Sequence, residues 1–280
     1  MKTTKEPKKK DTRSAAHKAS TIFAMIAIPL ELIISIYIFT QVFGDPSNFQ
    51  ENNPAGSPLP GNYLGIMYKG GFIVPILMTL LMMVVTFALE RLWTLSRATG
   101  KQSPFKFVKA IKEHITSLNF EAAKKACDAQ QGSVANIIRA GLDKYEEMDK
   151  VQGLDVEKKI LAVQKEIEDA EGMEMPMLER NLPILSTSSS IGVLLGLLGT
   201  VRGMIVAFSA LAQTGAPDAV SLAAGISEAL VNTALGILAS MLALIAYNYF
   251  TSRIDRIIYI AAEAGQTIVR TFSLTHANNK

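Results

Sequence analysis

Charged residues avoid four windows of this chain: Thr21–Phe43, Phe72–Leu89, Leu182–Ala212 and Leu222–Phe250. Each approaches or exceeds the ~20 apolar residues that cross a bilayer as a helix. Only Glu31, Arg202 and Glu228 interrupt them. The pattern predicts an all-α, polytopic membrane protein with four transmembrane helices. Between the first two windows, residues 45–71 hold four prolines and five glycines and read as an irregular outer loop. The second crossing, 72–95, ends on Glu90, Arg91 and Trp93, residue types that anchor a helix at the membrane surface. Residues 96–182 carry apolar positions at helical spacing: Ala122, Ala123, Ala126 and Cys127, then Ile137, Ile138, Gly141 and Leu142, then Ile160, Val163, Ile167 and Ala170. From Asp155 a helix is expected to run almost continuously through Leu182 into the third span.

Charge orients these elements. Of 28 Lys and Arg, seven lie in residues 1–20, fourteen in 96–182 and four in 251–280, whereas 44–71 and 213–221 together hold only Lys69. The positive-inside rule puts both tails and the middle segment in the cytoplasm. The expected order is a basic tail (1–20), an N-terminal span (21–43), a periplasmic loop (44–71), a span (72–95) and a large helical cytoplasmic insertion (96–182). Two further spans (183–212 and 222–250) flank a periplasmic turn (213–221), and a cytoplasmic C-terminal helix (251–280) follows. The first span is longer than the ~7–15 residues of a signal peptide core and lacks an A-x-A site, so it is expected to be retained. Beside a span, the basic tail reads as lipid-facing rather than as a nucleic-acid arm. Cys127 is the only cysteine and reads as an ordinary buried thiol.

The last two spans are not ordinary lipid-facing helices. Gly192, Gly196, Gly199 and Gly203 follow steps of 4, 3 and 4, on one face beside Thr200. The fourth span answers with Ser221, Gly225, Glu228, Asn232, Gly236 and Ser240. Small residues on a stripe let another backbone approach, which drives helix association where lipid removes the hydrophobic incentive. Glu228 and Asn232 add function to packing, because polar groups in a membrane face a bundle interior or a water-filled path. Arg202 lies 13 residues before Gly215, near the centre of the turn, and Glu228 lies 13 after it. Regular helices put both ~20 Å from the turn. They are expected to form an ion pair, in one chain or between subunits. Thr200 and Thr233 lie at comparable depth.

Enzymatic chemistry finds no support. Ser186 and Ser188–Ser190 lack a His/Asp context, and His17, His114 and His276 are scattered, so no metal site is expected. The glycines near Thr200 lack the Gly-Lys-Ser/Thr ending of a phosphate loop, and no cofactor is expected. Glu31, two residues after Pro29, reads as a structural partner for a neighbouring helix.

Residues Gly196-Leu-Leu-Gly-Thr-Val201 with Gly203, then Ile226-Ser-Glu-Ala-Leu230, Asn232-Thr233-Ala-Leu-Gly236 and Ala246-Tyr-Asn248, resemble the MotA/TolQ/ExbB proton-channel family, most closely its ExbB/TolQ branch. Leu178-Glu-Arg-Asn-Leu182 also fits, and the likeness is strongest over about 175–250. The resemblance implies a ring-forming homo-oligomer, a pentamer, in the bacterial inner membrane, with the last two spans lining a lumen. It implies an ExbD- or TolR-like single-span partner in that lumen, carrying a protonatable Asp, and a TonB- or TolA-like protein that receives the force. Thr200 and Thr233 match the family's threonines around that carboxylate, Glu228 its pore glutamate, and Asn232 lies on the same path. Val193 and Met241 stand where the family often has proline, and Arg202 where it usually has an uncharged residue. These departures keep a non-conducting membrane scaffold open as an alternative, and the family resemblance also leaves a MotA-like flagellar or gliding stator.

Overall fold

The computed structural model describes residues 12–213 and 219–277. The start of the basic tail and the core of the turn after the third span lie outside the described residues. Among the described residues the regular structure is helical: α1 (Thr12–Tyr37), α2 (Tyr63–Tyr68), α3 (Ile73–Ala98), α4 (Pro104–Thr116), α5 (Phe120–Gln130), α6 (Ser133–Lys150), α7 (Val156–Leu178), α8 (Leu182–Gln213) and α9 (Ala219–Ala277). Four stretches are long and apolar enough to cross a membrane: Ile22–Phe43, Ile73–Ala98, Leu182–Ser209 and Val220–His276. The chain divides into two compact units. One holds the residues up to Thr86 with Thr187–Ala243, and the other holds Phe87–Ser186 with the residues from Leu244 onward.

The first unit is built on apolar packing between spans. Ile73, Val74 and Leu77 of α3 bury themselves with Leu235 of α9, and Phe39, Phe43, Met67, Leu195 and Val231 close around them. The first span ends in a wider turn over Ile38–Phe43, closed by the Gly44 N–H donating to Phe39 O at 3.0 Å. The loop that follows is not irregular, contrary to its proline and glycine content. Asn48 donates through Nδ2 to Val42 O at 2.8 Å, and its Oδ1 accepts from Asn62 Nδ2 at 2.9 Å. Phe49 and Pro58 form an antiparallel bridge, and Tyr68 stacks on Phe39 with centroids 4.8 Å apart. Lys69 donates to Pro54 O and Ala55 O, both at 3.0 Å, and its burial lowers the ammonium pKa. Asparagine side chains here satisfy backbone groups that a helix or sheet would otherwise satisfy.

Glu31 is 5% exposed, near Thr86 of α3, and its Oε2 has no hydrogen-bond partner among the described residues.

The second unit is a charged, amphipathic helical body. Ile111, Ile115, Ala123, Cys127, Ile137, Ile138, Leu142 and Val163 are buried with Ile268 and Phe272 of α9. Tyr145 lies between Phe120 and Phe272, with centroids at 4.4 and 4.6 Å. On its surface Lys124 bridges Asp143 and Glu146 at 2.7 and 2.8 Å, and Arg139 holds Asp128 at 2.8 Å.

Two expectations need correction. The helix through 155–182 is interrupted: α7 stops at Leu178, Asn181 is left-handed (φ 61), and α8 begins at Leu182. Pro183 explains the break, since its ring would clash with the Glu179 carbonyl four residues back, and asparagine tolerates the left-handed turn. The expected 222–250 span and 251–280 helix are carried on one continuous helix, α9, of 59 residues. Finally, Arg91 is no surface anchor. It is 1% exposed, binds Glu90 at 2.6 Å and donates to Leu178 O at 3.3 Å, while Trp93 alone stays exposed, under Arg97.

Candidate functional site

Helices α8 and α9 run antiparallel, and their two small-residue stripes face each other. A β-carbon added to Gly203 would lie 2.6 Å from Gly225 O, and one added to Gly225 would lie 2.7 Å from Gly203 O. At Gly236 it would lie 2.9 Å from the Cα of Gly196, and at Gly192 it would lie 2.9 Å from Gly236 O. Gly199 leaves room for the Asn232 side chain. The second backbone that the glycines admit is therefore in the same chain. Such backbone proximity converts small residues into dispersion contact over several turns.

Level with this seam, Arg202 and Glu228 form an ion pair within the chain. The Glu228 side chain is largely buried and the Arg202 side chain about one-third exposed. The guanidinium also lies over the Phe72 ring, 4.7 Å from its centroid. Beneath the pair is a turn that motif reasoning passed over. Gly71 is left-handed (φ +74), and a β-carbon there would lie 2.8 Å from Glu228 Oε1 and 2.9 Å from Arg202 Nη1. Its neighbour Gly70 accepts a hydrogen bond from Asn232 Nδ2 at 2.8 Å. The Gly-Gly doublet just before an apolar run was the available signal.

Asn232 is wholly buried within the chain. Its carbonyl Oδ1 has no hydrogen-bond partner among the described residues. Its Nδ2 hydrogen bond to Gly70 O braces α9 against the turn before α3.

Thr200 and Thr233 come together. Thr200 Oγ1 donates to Gly196 O at 3.1 Å, Thr233 Oγ1 donates to Ala229 O at 3.0 Å, and the two hydroxyls touch. Two hydroxyl hydrogens serve three acceptors, so one hydroxyl can turn without stranding its helix. A hydroxyl both donates and accepts, and such a pair can meet a carboxyl group in either protonation state. Both threonines are half-buried, and Thr200 opens onto a groove of about 610 Å³ with Val201, Met204, Ile205 and Phe208. Flanking Leu194, Leu197, Leu198, Leu230 and Ile237 are exposed and apolar.

Among the described residues no group of His, Cys, Asp or Glu is arranged to hold a metal ion. Four apolar spans, two zipped into a hairpin with an ion pair and a hydroxyl pair along it, define a multi-pass helical membrane protein. Residues 129–263 match the MotA/TolQ/ExbB proton channel family, a stretch that takes in both pairs. Over 139 residues the chain is 34% identical to the Tol-Pal system protein TolQ of Pseudomonas aeruginosa, covering 49% of this chain and 60% of that relative. It is 28% identical over 200 residues to TolQ of Haemophilus influenzae, 70% of this chain and 87% of the relative. A putative biopolymer transport protein ExbB homolog of Methanothermobacter thermautotrophicus is 28% identical over 196 residues, 70% and 65%. The matched stretch, just under half of the chain, is similar to the MotA/TolQ/ExbB proton channel family, whose members are channel and stator proteins rather than enzymes.

Proposed function

We propose that this chain is the proton-channel and stator subunit of an ExbB/TolQ-type complex, converting proton-motive force into mechanical work on the outer membrane. In this proposal it forms a homo-oligomeric ring, a pentamer, in the bacterial inner membrane with both termini cytoplasmic. Helices α8 and α9 line the lumen, and an ExbD- or TolR-like single-span partner occupies it. A TonB- or TolA-like protein receives the force.

The contact between Thr200 and Thr233 supports this function. It is a rearrangeable hydroxyl pair beside exposed apolar flanks that need covering by lipid or another helix. A partner carboxylate brought there finds donors when ionised and acceptors when protonated. Arg202 is neutralised by Glu228, which leaves the partner's acid as the titrating group and removes a fixed positive charge from the path.

The test is proton flux in vesicles containing this chain and its single-span partner. Thr233→Val and Thr200→Val should each lower flux about tenfold or more, the worth of a hydrogen bond to a charged group at ~1.5–3 kcal/mol. Thr233→Ser should retain it. Undiminished flux in assembled valine variants would remove the threonines from the path. A non-conducting scaffold is the second reading, and the observation favouring it is Arg202, a guanidinium in this hairpin; no flux from the wild-type complex would establish it.

A further inference from the structure

In the second unit, several basic side chains are held by acidic ones. Lys112 pairs with Glu263 at 2.5 Å, Lys144 with Glu147 at 2.9 Å, and Lys124 and Arg139 bridge two carboxylates each. Arg253 and Arg256 differ. Neither has a carboxylate partner among the described residues, and each is parked on an aromatic ring. Arg253 donates to the Tyr249 hydroxyl at 3.0 Å, and Arg256 lies 5.2 Å from the Phe105 centroid. Both line one cleft of about 780 Å³, whose rim adds Asn248 and Ser103.

The depth of the cleft is set by composition. In α9 no Lys or Arg occurs from Ala219 to Thr251, and Arg253 is the first basic residue after that apolar run. On α3 the apolar run ends at Leu89, and exposed Trp93 carries Arg97 4.2 Å above its ring. The cleft therefore lies where helices leave hydrocarbon for the headgroup layer, the depth favoured by tryptophan, tyrosine and arginine. Guanidinium forks match phosphate oxygens bidentately, and stacked arginines lose little freedom on binding. Exposed Ile245, toward the apolar run, offers a surface for an acyl chain.

We infer that the cleft formed by Arg253, Arg256, Tyr249 and Phe105 is a binding site for the phosphate headgroup of an anionic phospholipid. This inference rests on the membrane spans and not on the proton path.

The test is native mass spectrometry of the purified, detergent-solubilised oligomer, delipidated and offered phosphatidylglycerol and phosphatidylcholine with matched acyl chains. Wild type should retain phosphatidylglycerol preferentially. Arg253→Gln with Arg256→Gln should reduce that preference by about 25-fold, at about fivefold per basic residue near an anionic surface. Lys106→Gln with Lys109→Gln removes the same charge from exposed positions elsewhere and should leave the preference intact. Equal retention of the two lipids by wild type, or an unchanged preference in the double arginine variant, would overturn the assignment. So would saturable binding of inorganic phosphate with no lipid selectivity, which would make the cleft a site for a soluble anion.

Discussion

Gly71 presses its bare α-carbon against the Glu228 carboxylate, with only 2.8 Å between the place of a β-carbon and Oε1. Two demands meet at this residue, a left-handed backbone and an absent side chain. Gly71→Ala should destabilise the folded protein by roughly 1–3 kcal/mol, from backbone strain and displacement of the ion pair together. Thermal unfolding in detergent checks this, and an unchanged midpoint would refute the packing.

Arg202 and Glu228 should be energetically coupled. Arg202→Met leaves a buried carboxylate without its cation, and Glu228→Gln leaves a guanidinium in apolar surroundings. Each single change should cost about 1–3 kcal/mol, moderated by the partial exposure of Arg202. The double variant should be at least about 1 kcal/mol better than the sum of the two. A cycle on thermal stability with no coupling would exclude the pair.

The glycine seam should tolerate no bulk. Gly203→Val or Gly236→Val places methyl groups into the opposing backbone, and repair requires α8 and α9 to separate. Disulfide trapping between cysteines introduced at Thr200 and Thr233, whose hydroxyls touch across the seam, should fall sharply in either variant relative to wild-type background. Equal trapping would mean that the helices were not held by the seam.

Cys127 offers a pH-dependent readout in the second unit. Burial pushes its thiol up to about 12, from an ordinary value of ~8.5. Between those values the unfolded chain sheds the proton and the folded chain keeps it, so folding stability contributed by this residue falls as pH rises through the window. Maleimide labelling of the folded protein should stay slow at pH 8 and accelerate on unfolding. Cys127→Ala should flatten the alkaline loss of stability. Rapid labelling at pH 8 without unfolding would contradict the burial.

How much of this was written in the chain differs by element. Spans are legible because the cost of placing charge in hydrocarbon empties whole windows of Lys, Arg, Asp and Glu. Arg202 and Glu228 stand level by residue count, because antiparallel regular helices joined by a short turn hold equal counts at equal depth. Other features depend on contacts between distant segments. Composition made 44–71 look formless, yet Asn48, Phe49 and Tyr68 fix it through partners that no local pattern reveals. Arg91 looked like an interfacial anchor because its residue type is common there; only the approach of Leu178 and Glu90 takes it inside. Asn232 shares the stripe of Glu228, but periodicity cannot tell a polar group facing water from one bound to a buried carbonyl. The stop before α8 was readable from Pro183, which outranks the helical periodicity on either side.

Charge neutralisation inside the hairpin also constrains biogenesis. Threading α8 into the bilayer alone would carry an arginine inward, and α9 alone a glutamate, at ~2.5–3.5 kcal/mol for an arginine or acidic residue at the helix centre on insertion scales. Entering as one folded pair, the two segments arrive already compensated. Nascent chains truncated after Gln213 should therefore insert their final segment poorly, and extension past Asn232 should restore insertion.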